Sequence, residues 1–309
     1  MKYSDIDKVY RNLSSSGGLS NPEKLSKKCG ISRTEAERYL FTQDSYTRHK
    51  ARRTSFQRRS VMSPGIDYLW QADIVFLPKY ASSNDGYKCL LTVIDVFSKF
   101  AFAISMRSKR SHEVIRSFSS IFESTKRRPN YIECDQGTEF CNKSFNQWLC
   151  QHSVEMYHNF SDFGSSVIER FNRTICTKIS RFLTLTNQQR YVEALPLLLR
   201  SYNATVHSRT KCKPREVNKY NEMDVWLTSY KNLTQKHTVR KRFKLYDRVR
   251  IDKTRGIFEK GYWPSFTTEL FEISEIIESI PTTYRIKDLS EYPISGIFYS
   301  QELSKVTVQ

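Results

Sequence analysis

Hydrophobic positions fall into three differently spaced regions along the chain. In the first, Val9, Tyr10 and Leu13 give a short apolar face that SSSGG interrupts. Asn21-Pro22 opens a second helix with Leu25 and Cys29 inward and Gly30 as its stop, because proline suits a first helical turn and glycine the position past the last one. Ser32 with Glu35 forms a capping box that starts a third helix, SRTEAERYLF, with Ala36, Tyr39 and Leu40 on one side. This pattern predicts a small helical domain over 1–45. A basic linker over 46–65 follows, in which YTRHKARRTSFQRRS has no apolar period.

From about residue 66 to 219 strands alternate with helices. LWQADIVFL, YKCLLTVIDVFS and KFAFAISM read as three successive strands rich in β-branched and aromatic residues, the first two joined by SSNDG. SHEVIRSFSSIFES is a helix with Val114, Ile115, Phe118, Ile121 and Phe122 on one stripe. YIECD reads as a short buried strand, SFNQWLCQH as a helix and VEMYH as a strand. A long helix starts near Ser165, with Ile168, Phe171, Ile175, Ile179 and Phe182 stepping by three or four, and YVEALPLLLRSYNAT is another helix. A three-strand meander followed by helix–strand–helix–strand–helix is the order of a ribonuclease-H-like α/β fold.

Residues 220–244 form a second basic linker, ending in KHTVRKRFK. Beyond it YDRVRI, TELFEISEII, TYRIKD and SGIFYS are short strands punctuated by Gly and Pro, which predicts an SH3-like or chromo-like β-barrel over 245–309.

Charge adds a partner to this outline. The chain has 309 residues with 50 Lys and Arg against 32 Asp and Glu, a net +18. The first 65 residues carry 14 basic and 6 acidic side chains, and residues 66–219 carry 22 and 14. A surplus spread over two regions fits an extended polyanion such as DNA, because each neutralised phosphate releases counterions. The two helices around a Gly-containing turn have the order of a helix-turn-helix. Residues from 256 on carry 4 basic and 8 acidic side chains, which argues against that module gripping phosphates by itself. No apolar run approaches the ~20 residues of a membrane helix, and MKYSDIDKVYR lacks the apolar centre of a signal peptide. Seven Cys without a C-x-x-C point to a reducing compartment, and no zinc is expected.

Three carboxylates stand out by position. Asp73 lies inside the first core strand, where a charge is costly unless paired or metal-bound. Asp135 ends YIECD at a turn, and Glu169 falls early in the long helix, about 100° round from the core-facing Ile168. A strand end, the middle of its neighbour and the start of a packing helix can converge in an α/β layout. Converging carboxylates repel, and hard divalent cations resolve that repulsion. Asn172 and Arg173 follow Glu169 at i+3 and i+4 and so share its face, where they could reach a DNA backbone. Arg52, Arg53, Arg58 and Arg59 of the first linker, and the stretch Lys236–Lys244 of the second, are the other candidate phosphate contacts.

Roughly half the chain, from WQADIVFL to NATVHSRTKCKPREV, resembles the catalytic core of D,D,E integrases of retroviruses and transposons, through VIDVFSKFAF, ECDQGTEF and VIERFNRT. The flanks ISRTEAERYLFTQDSYTRHK and RVRIDKTRGIFEKGYWPSFTTELFEI are similar to those of Maverick/Polinton and virophage integrases. The resemblance implies that Asp73 bridges two Mg²⁺ (or Mn²⁺) ions while Asp135 and Glu169 each complete one. It implies an enzyme that trims DNA 3′ ends and joins them to target duplex as a dimer or tetramer, in a nucleus or a virophage particle or factory. A chromatin contact through the C-terminal module is a further expectation. The pattern departs in three ways: 33 residues separate Asp135 from Glu169, about two fewer than in retroviral enzymes; NFSDFGSSV lacks a Pro before the glutamate, Gly164 being its mobile position; and the retroviral His/Cys zinc module is absent. Asp95 is read as supporting, and Glu139 as too close to Asp135 to be the third ligand. The rivals are a ribonuclease-H-like nuclease and a domesticated, non-catalytic DNA- or chromatin-binding protein.

Overall fold

The computed structural model of the chain describes residues 3–53, 55–56, 58–59, 61–158, 166–234, 242–253 and 262–307. The sequence-level candidates Lys236–Lys244 (through residue 241) and Gly164 with its loop lie outside these residues. The chain divides into two compact units, Met1–Arg59 with Lys236–Gln309, and Ser60–Gln235.

Four helices open the first unit: α1 (Tyr3–Arg11), α2 (Pro22–Cys29), α3 (Arg33–Leu40) and α4 (Asp44–His49). Asn21 caps α2 through Lys24 N–H, and Gly30 ends it in the left-handed region at φ 63°. Ser32 and Glu35 make the expected capping box, a device worth about 1 kcal/mol. Leu13 departs from expectation: α1 stops at Arg11, Leu13 is 79% exposed, and Ile6 joins Tyr10 inside instead. Helix α4 lies in the stretch read as a linker.

The second unit holds β1 (Leu69–Phe76), β2 (Cys89–Asp95), β3 (Ala101–Met106), α5 (Ser111–Thr125), β4 (Tyr131–Cys134), α6 (Lys143–Gln151), β5 (Glu155–His158), α7 (Ser166–Thr186), α8 (Leu195–Asn203) and α9 (Glu222–Thr234). Its sheet runs β3-β2-β1-β4-β5. The first three strands are antiparallel, and β4 and β5 run parallel to β1. Every residue of β2 is buried, as a central strand covered on both faces requires. Period two sorts its side chains. Leu91 and Val93 join Trp70, Ala72 and Ile74 against α5 and α6. Leu90 and Ile94 join Ile168, Phe171, Ile175 and Ile179 of α7. Phe182 is only partly buried, and Leu183 takes the inward place instead. Helix α8 begins at Leu195, later than its apolar run, with Pro196 in the first turn where its missing N–H costs nothing.

The C-terminal part of the first unit is an antiparallel sheet of β6 (Arg248–Ile251), β7 (Phe271–Ile277), β8 (Thr283–Asp288), β9 (Phe298–Tyr299) and β10 (Leu303–Val306), in the order β10-β6-β7-β8-β9. Helix α4 is tied to this sheet. Ser304 Oγ donates to Thr47 O at 3.1 Å, and Ser265 N–H and Phe266 N–H donate to Arg48 O at 2.8 and 3.1 Å. Buried Arg250 donates to Asp44, to Thr47 Oγ1 and to Thr267 O. The two ends of the chain, read as separate domains, thus fold as one body.

Candidate active site

Strand register brings the first two carboxylates together. In the parallel β1–β4 pair Gln71 stands opposite Glu133. Two residues further along each chain come Asp73 and Asp135, on the same face and one strand spacing apart, about 4.8 Å. Asp135 follows the last residue of β4 and is exposed, whereas Asp73 is half-buried. The Asp73 carboxyl is pushed above its ordinary range by burial and by the neighbouring Asp135 charge, against the Ile74 N–H, Lys109 and Asn172.

Helix α7 lies along the same face of β1. Ile168 N–H donates to Gln71 Oε1 at 3.0 Å, and Asn172 Nδ2 donates to Asp73 Oδ2 at 2.7 Å. Two residues of strand and four of helix advance by nearly the same distance, roughly 6–7 Å, so both bonds form without bending either element. Glu169 sits between these two anchors in sequence and is exposed. Among the described residues no set of three His, Cys, Asp or Glu lies close enough to hold one ion. The register and the charge interaction therefore place Asp73 near Asp135, and Glu169 comes toward the site only through its place on α7.

Asn172 corrects the sequence reading: its amide is turned to Asp73 rather than outward. Its Oδ1 is buried without a hydrogen-bond partner among the described residues. Arg173 is exposed as expected. Gln71, which also donates to Glu133 Oε2 at 2.9 Å, was missed. Its signal was its place two residues before Asp73 on the same strand face. Gly137 in the turn after Asp135 is packed tightly, since a Cβ there would meet the Glu139 carboxylate at 2.7 Å. Glu139 itself pairs with Lys109 at 3.6 Å. The two adjoining carboxylates and the orphaned amide oxygen are an all-oxygen donor set, which fits a hard divalent cation that takes one or two carboxylates and keeps several waters.

The linker arginines divide. Arg52 pairs with Asp252 at 2.7 Å and Arg58 with Glu302 at 3.5 Å, both within the first unit. Arg53 and Arg59 are exposed, Arg59 anchored by its backbone N–H to Tyr299 Oη at 2.9 Å. Two of the four candidate phosphate contacts are thus engaged by carboxylates of the same body.

Residues 65–161 match the integrase core domain family. The matched span contains Asp73 and Asp135 and ends before Glu169. Over 195 residues the chain is 29% identical to an uncharacterized transposon-derived protein of Caenorhabditis elegans, covering 63% of this chain and 65% of that one. It is 24% identical over 139 residues to a retrovirus-related Pol polyprotein from transposon 297 of Drosophila melanogaster, 45% of this chain but 13% of the polyprotein. The chain thus spans just under two thirds of the first relative and a small part of the second. In fold it is similar to a chain of the simian T-cell lymphotropic virus intasome solved with PP2A regulatory subunit B56 gamma, with TM-score 0.59 and 15% identity over 98% of this chain and 99% of that one. The integrase core match falls on the five-stranded mixed sheet, and the likeness to the intasome chain is one of α/β fold.

Proposed function

We propose that the chain is a DNA integrase, which trims a DNA 3′ end and joins it to a second duplex. The observation that carries this reading is the Asp73–Asp135 juxtaposition inside the integrase core match, with Asn172 of α7 turned onto Asp73. In trimming, water forms a bond to phosphorus and the element's P–O3′ bond breaks, leaving a 3′-hydroxyl. In joining, that hydroxyl bonds to a target phosphorus and one target P–O3′ bond breaks, so the number of phosphodiesters is conserved and no energy source is needed. Asp73, Asp135 and Glu169 would hold two Mg²⁺ or Mn²⁺ ions, which activate the attacking oxygen and neutralise the leaving one. Asn172 holds the Asp73 carboxylate and Gln71 seats α7 on β1, so that little reorganisation remains when substrate arrives. The reading extends to dimers or tetramers on DNA, an origin among Maverick/Polinton-type elements, an SH3-like or chromo-like role for the C-terminal sheet, and action in a nucleus or virophage factory.

One labelled duplex carrying an element end tests this. Products longer than the substrate, formed only with divalent metal, are expected; cleavage without any joined product would assign a nuclease instead.

Asn172 separates positioning from DNA contact. Asn172→Ala is expected to slow joining about tenfold, the loss of roughly one hydrogen bond to a charged group, with duplex affinity unchanged. Weaker binding together with unchanged turnover on saturating DNA would return Asn172 to the DNA backbone.

For the linker, neutralising Arg53 and Arg59 together is expected to reduce the slope of log K against log salt by up to about 2, at ~0.9 per contact. An unchanged slope in a folded protein moves phosphate binding elsewhere.

A further inference from the structure

The first unit contains a cavity of about 730 Å³ that the reaction described above does not use. It lies where the end of α1, the entry to α2 and the chain after α4 meet the C-terminal sheet. Its walls include Tyr10, Tyr46 and His49, the cations Lys50, Arg53 and Arg242, and no acidic side chain. Arg52 also reaches it but is held by Asp252. No carboxylate lies within ion-pair distance of Lys50, Arg53 or Arg242 among the described residues. Burial and the adjacent Arg242 and Arg53 charges bring the Lys50 ammonium down to about 8, against partial support from Glu37. Three cations are thus crowded around a hollow with nothing anionic in its walls. At its edge Leu19 is held in the left-handed region at φ 45°, where a leucine is strained, with its side chain 59% exposed.

These features specify a ligand. The cation cluster calls for an anion, and the tyrosine walls and exposed leucine call for a flat apolar body attached to it. A double helix lies across such a hollow, whereas one unstacked base enters it. Bases stack on aromatic side chains irrespective of sequence, and the backbone then follows the adjoining cations.

We propose that this cavity binds an unstacked nucleotide of single-stranded DNA, with the base against Tyr46 and its flanking phosphates held by Lys50, Arg53 and Arg242. The inference rests on the DNA-joining reading, since a chain that trims 3′ ends leaves an unpaired strand beside each one.

Fluorescence anisotropy on the full chain tests it with a labelled oligothymidylate and an abasic oligomer of equal length. The abasic strand is expected to bind about tenfold more weakly, within the range of one stacked base. Tyr46→Leu keeps an apolar side chain beside Phe41, whose ring centroid is 6.4 Å from that of Tyr46, but removes the π face. It should erase the difference between the two strands, and Tyr46→Phe should retain it. Lys50→Gln, Arg53→Gln and Arg242→Gln combined should lower the salt slope by up to about 2, at ~0.7 per contact on single strands. Equal binding of the two oligomers by the unaltered chain overturns the base pocket. An unchanged slope in the triple variant overturns the phosphate clamp, and tighter binding of oligouridylate overturns the assignment to DNA. Anisotropy is read without any joining, so a chain that binds as described yet joins no DNA overturns the integrase reading alone.

Discussion

Asp73→Asn, Asp135→Asn and Glu169→Gln are each expected to lower DNA joining by about 10³-fold or more while leaving duplex affinity unchanged. Each replacement keeps the volume and removes an anionic oxygen. The cost is several kcal/mol of charge stabilisation at roughly 1.4 kcal/mol per tenfold in rate. The basic surface is untouched, so binding persists. Stability separates Asp73 from an ordinary structural acid. Burial and Asp135 raise its folded-state pKa, so its protonation favours the fold. That contribution is complete below the unfolded carboxylate range and is lost as pH rises through the folded value. At neutral pH the charge therefore strains the fold, and Asp73→Asn should melt at the same temperature or higher. Added Mg²⁺ should raise the melting temperature of the unaltered chain and leave that of Asp73→Asn unmoved, by preferential binding to the folded state. A lower melting temperature for Asp73→Asn, or joining retained in any of the three variants, would remove that residue from the site.

The largest stability effect is expected at Arg127. Asp95, at the end of β2, is 0% exposed and is bonded by Arg127 Nη2 at 3.0 Å, by Ser98 and by Phe97 N–H. Arg127 reaches on to Asp67 and lies over the ring of Phe100, 4.9 Å from its centroid. Arg127→Met keeps much of that packing but leaves the Asp95 charge buried without its ion-pair partner, Lys99 acting on it only through space. Breaking a buried pair from one side costs on the order of 3–5 kcal/mol. At roughly 2–4 °C per kcal/mol for a unit of this size, the melting temperature should fall by about 10 °C. Burial holds the Asp95 carboxyl above its ordinary range even with Arg127 present, and removal of Arg127 raises it further. Protonation then rescues the fold, so the defect should shrink as pH falls below that raised value, and be smallest below the ordinary carboxylate range. Pairing the change with Asp95→Asn should recover more than half of the loss. A defect that is constant from neutral to acidic pH, or that the second change deepens, would show that packing rather than the stranded charge is responsible. The supporting part read for Asp95 from the sequence thus has a physical form: it holds the β2–β3 turn through Phe97 N–H, Ser98 N–H and Ser98 Oγ.

Local rules determined much of this protein before any tertiary contact is considered. The β-branched and aromatic content of WQADIVF and VIDVF, period three to four from Ile168 to Ile179, and the capping box at Ser32 each depend on neighbours within a few residues. The proposal of Asp73, Asp135 and Glu169 as site residues came from the same local reading, since a carboxylate in a strand, at a strand end or on a helix beside its core stripe stands out against its own surroundings. The tertiary structure decided what depends on register and on distant pairing. Only the β1–β4 alignment sets Asp73 beside Asp135, and only the seating of α7 on Gln71 turns Asn172 inward, so that a residue on a helix face open to DNA becomes a support for Asp73. The stretch after α3 looked like a tether because its cations have no apolar period. Their partners, Asp252 and Glu302, lie some two hundred positions away, and an ion pair between groups so far apart leaves no periodic trace in either segment.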